Sequence, residues 1–198
     1  MIQTIGEPRR RLFKAIFIDG SFLFRCANNM STRINYKKLK NLFLNTGDHL
    51  VSTSYYTALP NEYDMEEKHR TFLRVLKKDV RVKVRSVPLL TAFDIAHGTA
   101  QQQALPPDAL AIHHNNTRYS KGEDILLACD MVKGAYTNQY DVCILISGDG
   151  DFVPAVHAVQ DAGKPVIVAS FHNSLSHALE LEASDVVYLD EILDRIKL

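Results

Sequence analysis

The sequence predicts an α/β fold, a three-layer sandwich in which helices cover both faces of a central, mainly parallel sheet. Three observations carry this. Short apolar runs rich in β-branched residues, Ala15–Asp19, Val142–Ser147 and Pro165–Ser170, read as strands buried on both faces. Segments with helical periodicity alternate with such runs along the chain. Two of the apolar runs lead into aspartates, Asp19 and Asp149, which is where an α/β sheet collects its chemistry, in the crevice beyond the carboxyl ends of its strands.

Each element follows in order. Residues 1–13, with Arg9-Arg10-Arg11, are expected to form a flexible tail ahead of one domain spanning 14–198. After the Ala15–Asp19 strand, Tyr36–Asn45 places Leu39, Leu42 and Phe43 at helical spacing, and Gly47 follows as a stop. Val51–Leu59, rich in Tyr, Thr and Val, is the second strand. Glu62–Lys78 carries Phe72, Val75 and Leu76 on one face and charges on the other, an amphipathic helix. Val80–Val87 alternates apolar with basic residues, so Arg81, Lys83 and Arg85 line one solvated strand face.

Between residues 91 and 120, Gln101-Gln102-Gln103 and Pro106-Pro107 mark a loop. A structureless loop of that length is uncommon in a compact domain, so Ala109–His113 is expected to pair back on Val82–Val87 as a β-hairpin extension, or to act as a flap. Gly122–Thr137 is nearly all apolar apart from Glu123, Asp124, Asp130 and Lys133, which predicts a helix buried on most sides. Val142–Ser147 is a strand, Phe152–Gln160 a helix ended by Gly163, and Pro165–Ser170 another core strand. Ser174–Leu181 and Asp190–Ile196 read as helices around the short apolar run Val186–Tyr188.

The bulk properties exclude several classes. Lys+Arg and Asp+Glu balance at 23 each, so nucleic-acid binding has to use a local patch rather than a global basic field. Three cysteines, Cys26, Cys129 and Cys143, have no metal-type spacing, and an odd count argues against a disulfide framework. No apolar stretch has the length of a membrane span or the look of a signal peptide, so the expected setting is a reduced cytoplasm with no membrane partner. A neutral surface with a β-extension also suits a homodimer.

The acidic constellation carries the functional reading. Asp19 and Asp149 leave the carboxyl ends of predicted core strands, Asp151 begins a helix, and Asp124 lies in the first turn of another. Each alone reads as ordinary capping, and Gly148-Asp149-Gly150-Asp151 as a tight turn. Capping does not, however, require placement at the ends of two core strands. Converging carboxylates repel unless protons or a cation neutralise them, and hard carboxylate oxygens suit Mg²⁺ or Mn²⁺.

Three blocks together resemble the NYN-domain family, its LabA-like group within the PIN-like nuclease superfamily. They are Phe17-Ile18-Asp19-Gly20-Ser21, then Lys121-Gly122-Glu123-Asp124 with Leu127 and Asp130, and Ser147-Gly148-Asp149-Gly150-Asp151-Phe152. The resemblance spans roughly residues 14 to 190 and includes Ala162-Gly163-Lys164 before a strand. It implies a Rossmann-like, PIN-like fold and a metal-dependent ribonuclease with acidic ligands at Asp19, Asp124, Asp149 and Asp151. One departure stands out: where family members usually carry Asn three positions after the first Asp, this chain has Phe22.

Asp130 matches the family pattern but lies six residues after Asp124, about 120° around and 9 Å along a helix, so the two are not expected to share an ion. It ranks behind the four aspartates, together with Ser21 and Ser147 at strand ends. Lys121, Arg118, Ser170 and His172 are candidates for contact with RNA, each weighed against a plain surface or turn role. The leading expectation is an endonuclease acting on single-stranded or structured RNA with Mg²⁺ or Mn²⁺. The alternative is an RNA-binding or regulatory module without chemistry, motivated by Phe22 and the neutral charge. A haloacid-dehalogenase-type phosphohydrolase needs a second Asp two residues after its nucleophile; Ser21 stands there instead.

Overall fold

In a computed structural model, residues 11–59, 67–79, 82–91, 118–120 and 122–198 are described. The described elements run β1 (Phe13–Asp19), α1 (Gly20–Asn29), α2 (Tyr36–Leu42), β2 (His49–Leu59), α3 (Glu67–Lys78), β3 (Val82–Thr91) and β4 (Arg118–Ser120). They continue with α4 (Glu123–Tyr136), β5 (Val142–Ile146), α5 (Val153–Asp161), β6 (Val166–Ser170), α6 (His177–Glu182), β7 (Asp185–Tyr188) and α7 (Leu193–Ile196). The strands form one sheet in the order β4-β3-β2-β1-β5-β6-β7. Six strands are parallel, and β4 alone pairs antiparallel, Leu89 opposite Ser120.

The alternation of side chains along β1 and β5 explains why both strands read as unbroken apolar runs. Ile16, Ile18, Ile144 and Ile146 face one core with Leu23, Leu39 and Leu76 of α1, α2 and α3. Ala15, Phe17, Cys143 and Leu145 face the other with Leu127, Met131, Val156 and Val159 of α4 and α5. Each fully buried Ile or Leu adds about 1.5–3 kcal/mol. Lys14 is the exception in β1: its Nζ donates to the Phe43 carbonyl at 2.7 Å and pairs with Asp48 at 2.8 Å. Paired chiefly by this lysine bond, the Asp48 carboxyl sits below its usual range.

Several elements differ from expectation. Helix α1 was not foreseen, although Phe22, Leu23, Cys26 and Ala27 supply its buried face. Helix α2 stops at Leu42 rather than Asn45, because residues 45 to 48 turn back: the Asn45 amide donates to Asp48 Oδ2 at 3.0 Å. Helix α4 is amphipathic rather than buried on most sides, exposing Asp124, Ile125, Cys129, Lys133 and Tyr136. A 3₁₀ turn over Gly150–Phe152 precedes α5, so Asp151 lies in that turn and Asp149 caps it. The expected pairing partner Ala109–His113 lies outside the described residues, as do the tail through residue 10 and the start of the Glu62–Lys78 helix. Among the described residues no helix is long and apolar enough to cross a membrane.

Candidate functional site

The chain runs from β1 outward to β2 and β3 on one side, then returns to β5 and runs outward to β6 and β7 on the other. β1 and β5 are therefore the neighbours at which strand order reverses, the crevice where parallel sheets bind ligands. Asp19 ends β1 and caps α1, its Oδ1 accepting the Phe22 amide at 2.9 Å. Its Oδ2 accepts from Ser147 Oγ at 3.0 Å. The same hydroxyl accepts the Asp149 amide at 3.3 Å, so one serine joins the ends of both central strands. Asp149 Oδ1 in turn accepts the Asp151 amide at 2.9 Å.

Helix α4 brings in two more carboxylates. Gly122, at φ 99°, stands at the helix start in a left-handed conformation that side chains resist, and Glu123 and Asp124 occupy the first turn, where the positive dipole end favours anions. Glu123 is 7 % exposed; its Oε1 accepts from Ser21 Oγ at 2.8 Å, while Oε2 is buried without a hydrogen-bond partner. Burial raises the Asp19 pKa, with Glu123 adding to the shift and the bonds from Phe22 and Ser147 opposing it. Asp124 is pushed up to about 6, first by desolvation and then by the negative charges of Asp19, Glu123, Asp149 and Asp151. All five acids thus act on one small region.

Two close approaches hold this rim. A Cβ on Gly148 would lie 1.9 Å from the Ser174 carbonyl oxygen, and the Ser176 amide donates to the Gly148 carbonyl at 2.8 Å. The loop after β6 therefore packs directly on the Asp149 turn. A cleft of about 310 Å³ opens beside it, lined by Phe22, Arg25, Cys26, Asn29, Gly148, Asp149 and Ser174.

The donor set is of the type that hard divalent cations take. It is all oxygen, with no thiol or imidazole, and the orphaned Glu123 Oε2 has an acceptor's lone pairs to offer. Among the described residues no group of three or more His, Cys, Asp or Glu side chains is arranged so that it could hold a metal ion as it stands.

The other expected residues separate. Ser21 and Ser147 each hold a carboxylate of the cluster. Asp130 stands apart on α4, accepting from the Tyr56 hydroxyl at 2.9 Å and facing Arg85 at 3.4 Å. Ser170 is fully buried at the end of β6, its Oγ without a partner. His172 is exposed, stacked on Tyr188 and held through Nδ1 by Asp190 at 2.6 Å. Lys121 and the side chain of Arg118 lie outside the described residues. Two residues of the site were missed in the sequence: Glu123, whose signal was its place beside Asp124, and Arg25, whose electrostatic reach to Asp19 depends on α1. The side chain of Phe22 turns inward, 5 % exposed and 6.3 Å from the ring of Phe171.

No curated protein matches this chain. Among solved structures, a protein of unknown function from Vibrio parahaemolyticus is similar, with 21 % sequence identity, a TM-score of 0.69 and coverage of 97 % of this chain and 99 % of that one. At that identity the likeness speaks for the fold. The NYN domain family profile matches residues 14–190, from β1 to just past β7. The chain belongs to the NYN-domain family, a branch of the PIN-like nuclease superfamily.

Proposed function

We propose that this protein is a metal-dependent endoribonuclease, and that Asp19, Asp124 and Asp149 hold Mg²⁺ or Mn²⁺ at the β1–β5 crevice. Asp151 serves as a further ligand or orients water, and Glu123 joins the set through its unpartnered Oε2. The observation that carries this reading is that Ser147 ties Asp19 to the Asp149 turn while Ser21 holds Glu123, whose Oε2 is buried without a partner, beside them; desolvation and then the charges of Asp19, Glu123, Asp149 and Asp151 push Asp124 up to about 6. Such a concentration of negative charge at a strand-switch crevice is costly without a cation and functional sites are where such costs concentrate.

The chain's own residues do the positioning. Ser147 and the Phe22 amide fix both oxygens of Asp19, so its carboxylate keeps one orientation. Ser21 does the same for Glu123. Asp149 is held by its own turn, close to the open cleft where a phosphodiester can enter. A divalent ion held among these groups would supply positive charge for the phosphate and make a water more acidic.

The test is Mn²⁺-dependent cleavage of mixed RNA by the wild type and by Asp149→Asn. The variant is expected to lose about 100-fold or more in rate; equal activity in both removes the proposal. The buried apolar ring of Phe22 favours a second reading, an RNA-binding module without cleavage. Binding that persists in EDTA, with no cleavage under any divalent ion, would select it.

A further inference from the structure

We propose that the outward face of α1 is a track for single-stranded RNA leading into the acidic rim, with Phe24 stacking a base and Arg25 holding a phosphate. The inference rests on the nuclease reading and names how its substrate lies. Helix α1 buries Phe22, Leu23, Cys26 and Ala27, leaving Ser21 half-exposed and Phe24, Arg25, Asn28 and Asn29 exposed. At 3.6 residues per turn these five outward positions fall within an arc of about 140° and run about 12 Å along the axis.

A merely solvated helix face carries charged and polar residues, and an exposed phenylalanine in the middle of this one departs from that pattern. The stripe holds no acid, one cation, one aromatic ring and two amides. Phe24 is 63 % exposed and makes no ring contact among the described residues. Arg25 makes no ion pair with any described residue, although five acids crowd the adjoining rim. Arg25 attracts Asp19 only at a distance, with no carboxylate in salt-bridge contact, so its guanidinium fork is placed for an incoming anion.

Geometry connects the stripe to the site. Arg25 and Asn29 line one wall of the 310 Å³ cleft, and Gly148, Asp149 and Ser174 line the other. Ser21, at the start of the stripe, is already bonded to Glu123. A strand lying along α1 would therefore place a phosphate beside Arg25 and its neighbour towards Asp149. Phe24 can stack only on an unpaired base, because duplex bases are already stacked on one another, and the amides of Asn28 and Asn29 can reach the edges of splayed bases.

Fluorescence anisotropy with a short, fluorescein-labelled, mixed-sequence single-stranded RNA tests this on the full chain in EDTA. Phe24→Ala should weaken binding about tenfold without changing its salt dependence, and Phe24→Tyr should restore it. Arg25→Ala should flatten the slope of log affinity against log salt by about 0.7. Both positions lie on the surface, so unchanged Tm values serve as the folding control. Wild-type affinity in both alanine variants overturns the track, and so does equal affinity for a duplex of the same sequence. Cleavage in Mn²⁺ is scored separately. If the protein cleaves while the variants bind like wild type, only the track falls. If binding follows α1 but no cleavage occurs, only the nuclease reading falls.

Discussion

At the scale of single residues, Asp124 carries a proton affinity that reports on all its neighbours. Its carboxyl is raised to about 6, so in the metal-free protein it takes up a proton at a pH where the unfolded chain would not. The folded state then binds more protons between about pH 4 and 6, and stability falls as pH rises through that window. Asp124→Asn should therefore raise Tm in EDTA at pH 7.5 and leave it unchanged near pH 4. Because Asp124 is exposed, solvent screening reduces the effect to about 1 kcal/mol, or roughly 2–4 °C for a chain of this length. Thermal melts at the two pH values check the sign. Asp124 and Asp149 were legible in the sequence because each sits next to an apolar run that announces an element boundary. Glu123 is not legible in the sequence, since nothing in a one-dimensional pattern shows that Ser21 reaches across to it.

At the scale of elements, the rim depends on a loop packed against a glycine. Gly148→Ala would drive a Cβ into the Ser174 carbonyl and within 2.8 Å of the Phe22 ring. A backbone carbonyl does not yield as the end of a flexible side chain would, so the loop after β6 must move and take the Asp149 turn with it. The expected cost is about 1–3 kcal/mol, read as a lowered Tm, with loss of Mn²⁺-dependent activity beyond what unfolding accounts for. The parallel strands and α5 were readable because β-branched runs and helical spacing are local signals, whereas the three-residue β4 at Arg118–Ser120 carried no such signal. Helix α1 is hard to see in the sequence because Asp19 both ends β1 and caps α1, so strand and helix meet with no intervening turn. The exposed side of α4 is not legible either: Ile125 and Tyr136 are apolar by type yet face solvent, and composition alone does not say which side packs.

At the scale of the molecule, opposite shifts should shape the stability curve. The lowered Asp48 carboxyl, bonded to Lys14, stabilises the fold above its unfolded pKa and loses that contribution as pH falls through its folded value. The raised Asp19 and Asp124 act in the opposite sense as pH rises. Metal-free protein is therefore expected to be most stable in mild acid, and Mn²⁺ should remove the decline on the neutral side by binding only the folded state. Tm measured across pH with and without Mn²⁺ decides it; parallel curves would count against a cation at the acidic rim. The sheet order has a further consequence for how the protein comes into being. Asp19 meets Ser147 across 128 residues of chain, because β1 waits for β5 as its second neighbour. A nascent chain with only its first half outside the ribosome holds β1, β2 and β3 but none of the Ser147–Asp151 turn. Long-range pairings of this kind slow folding, and the Asp149 turn is synthesised after β1, β2 and β3, so the acidic rim cannot assemble until synthesis has passed the fifth strand.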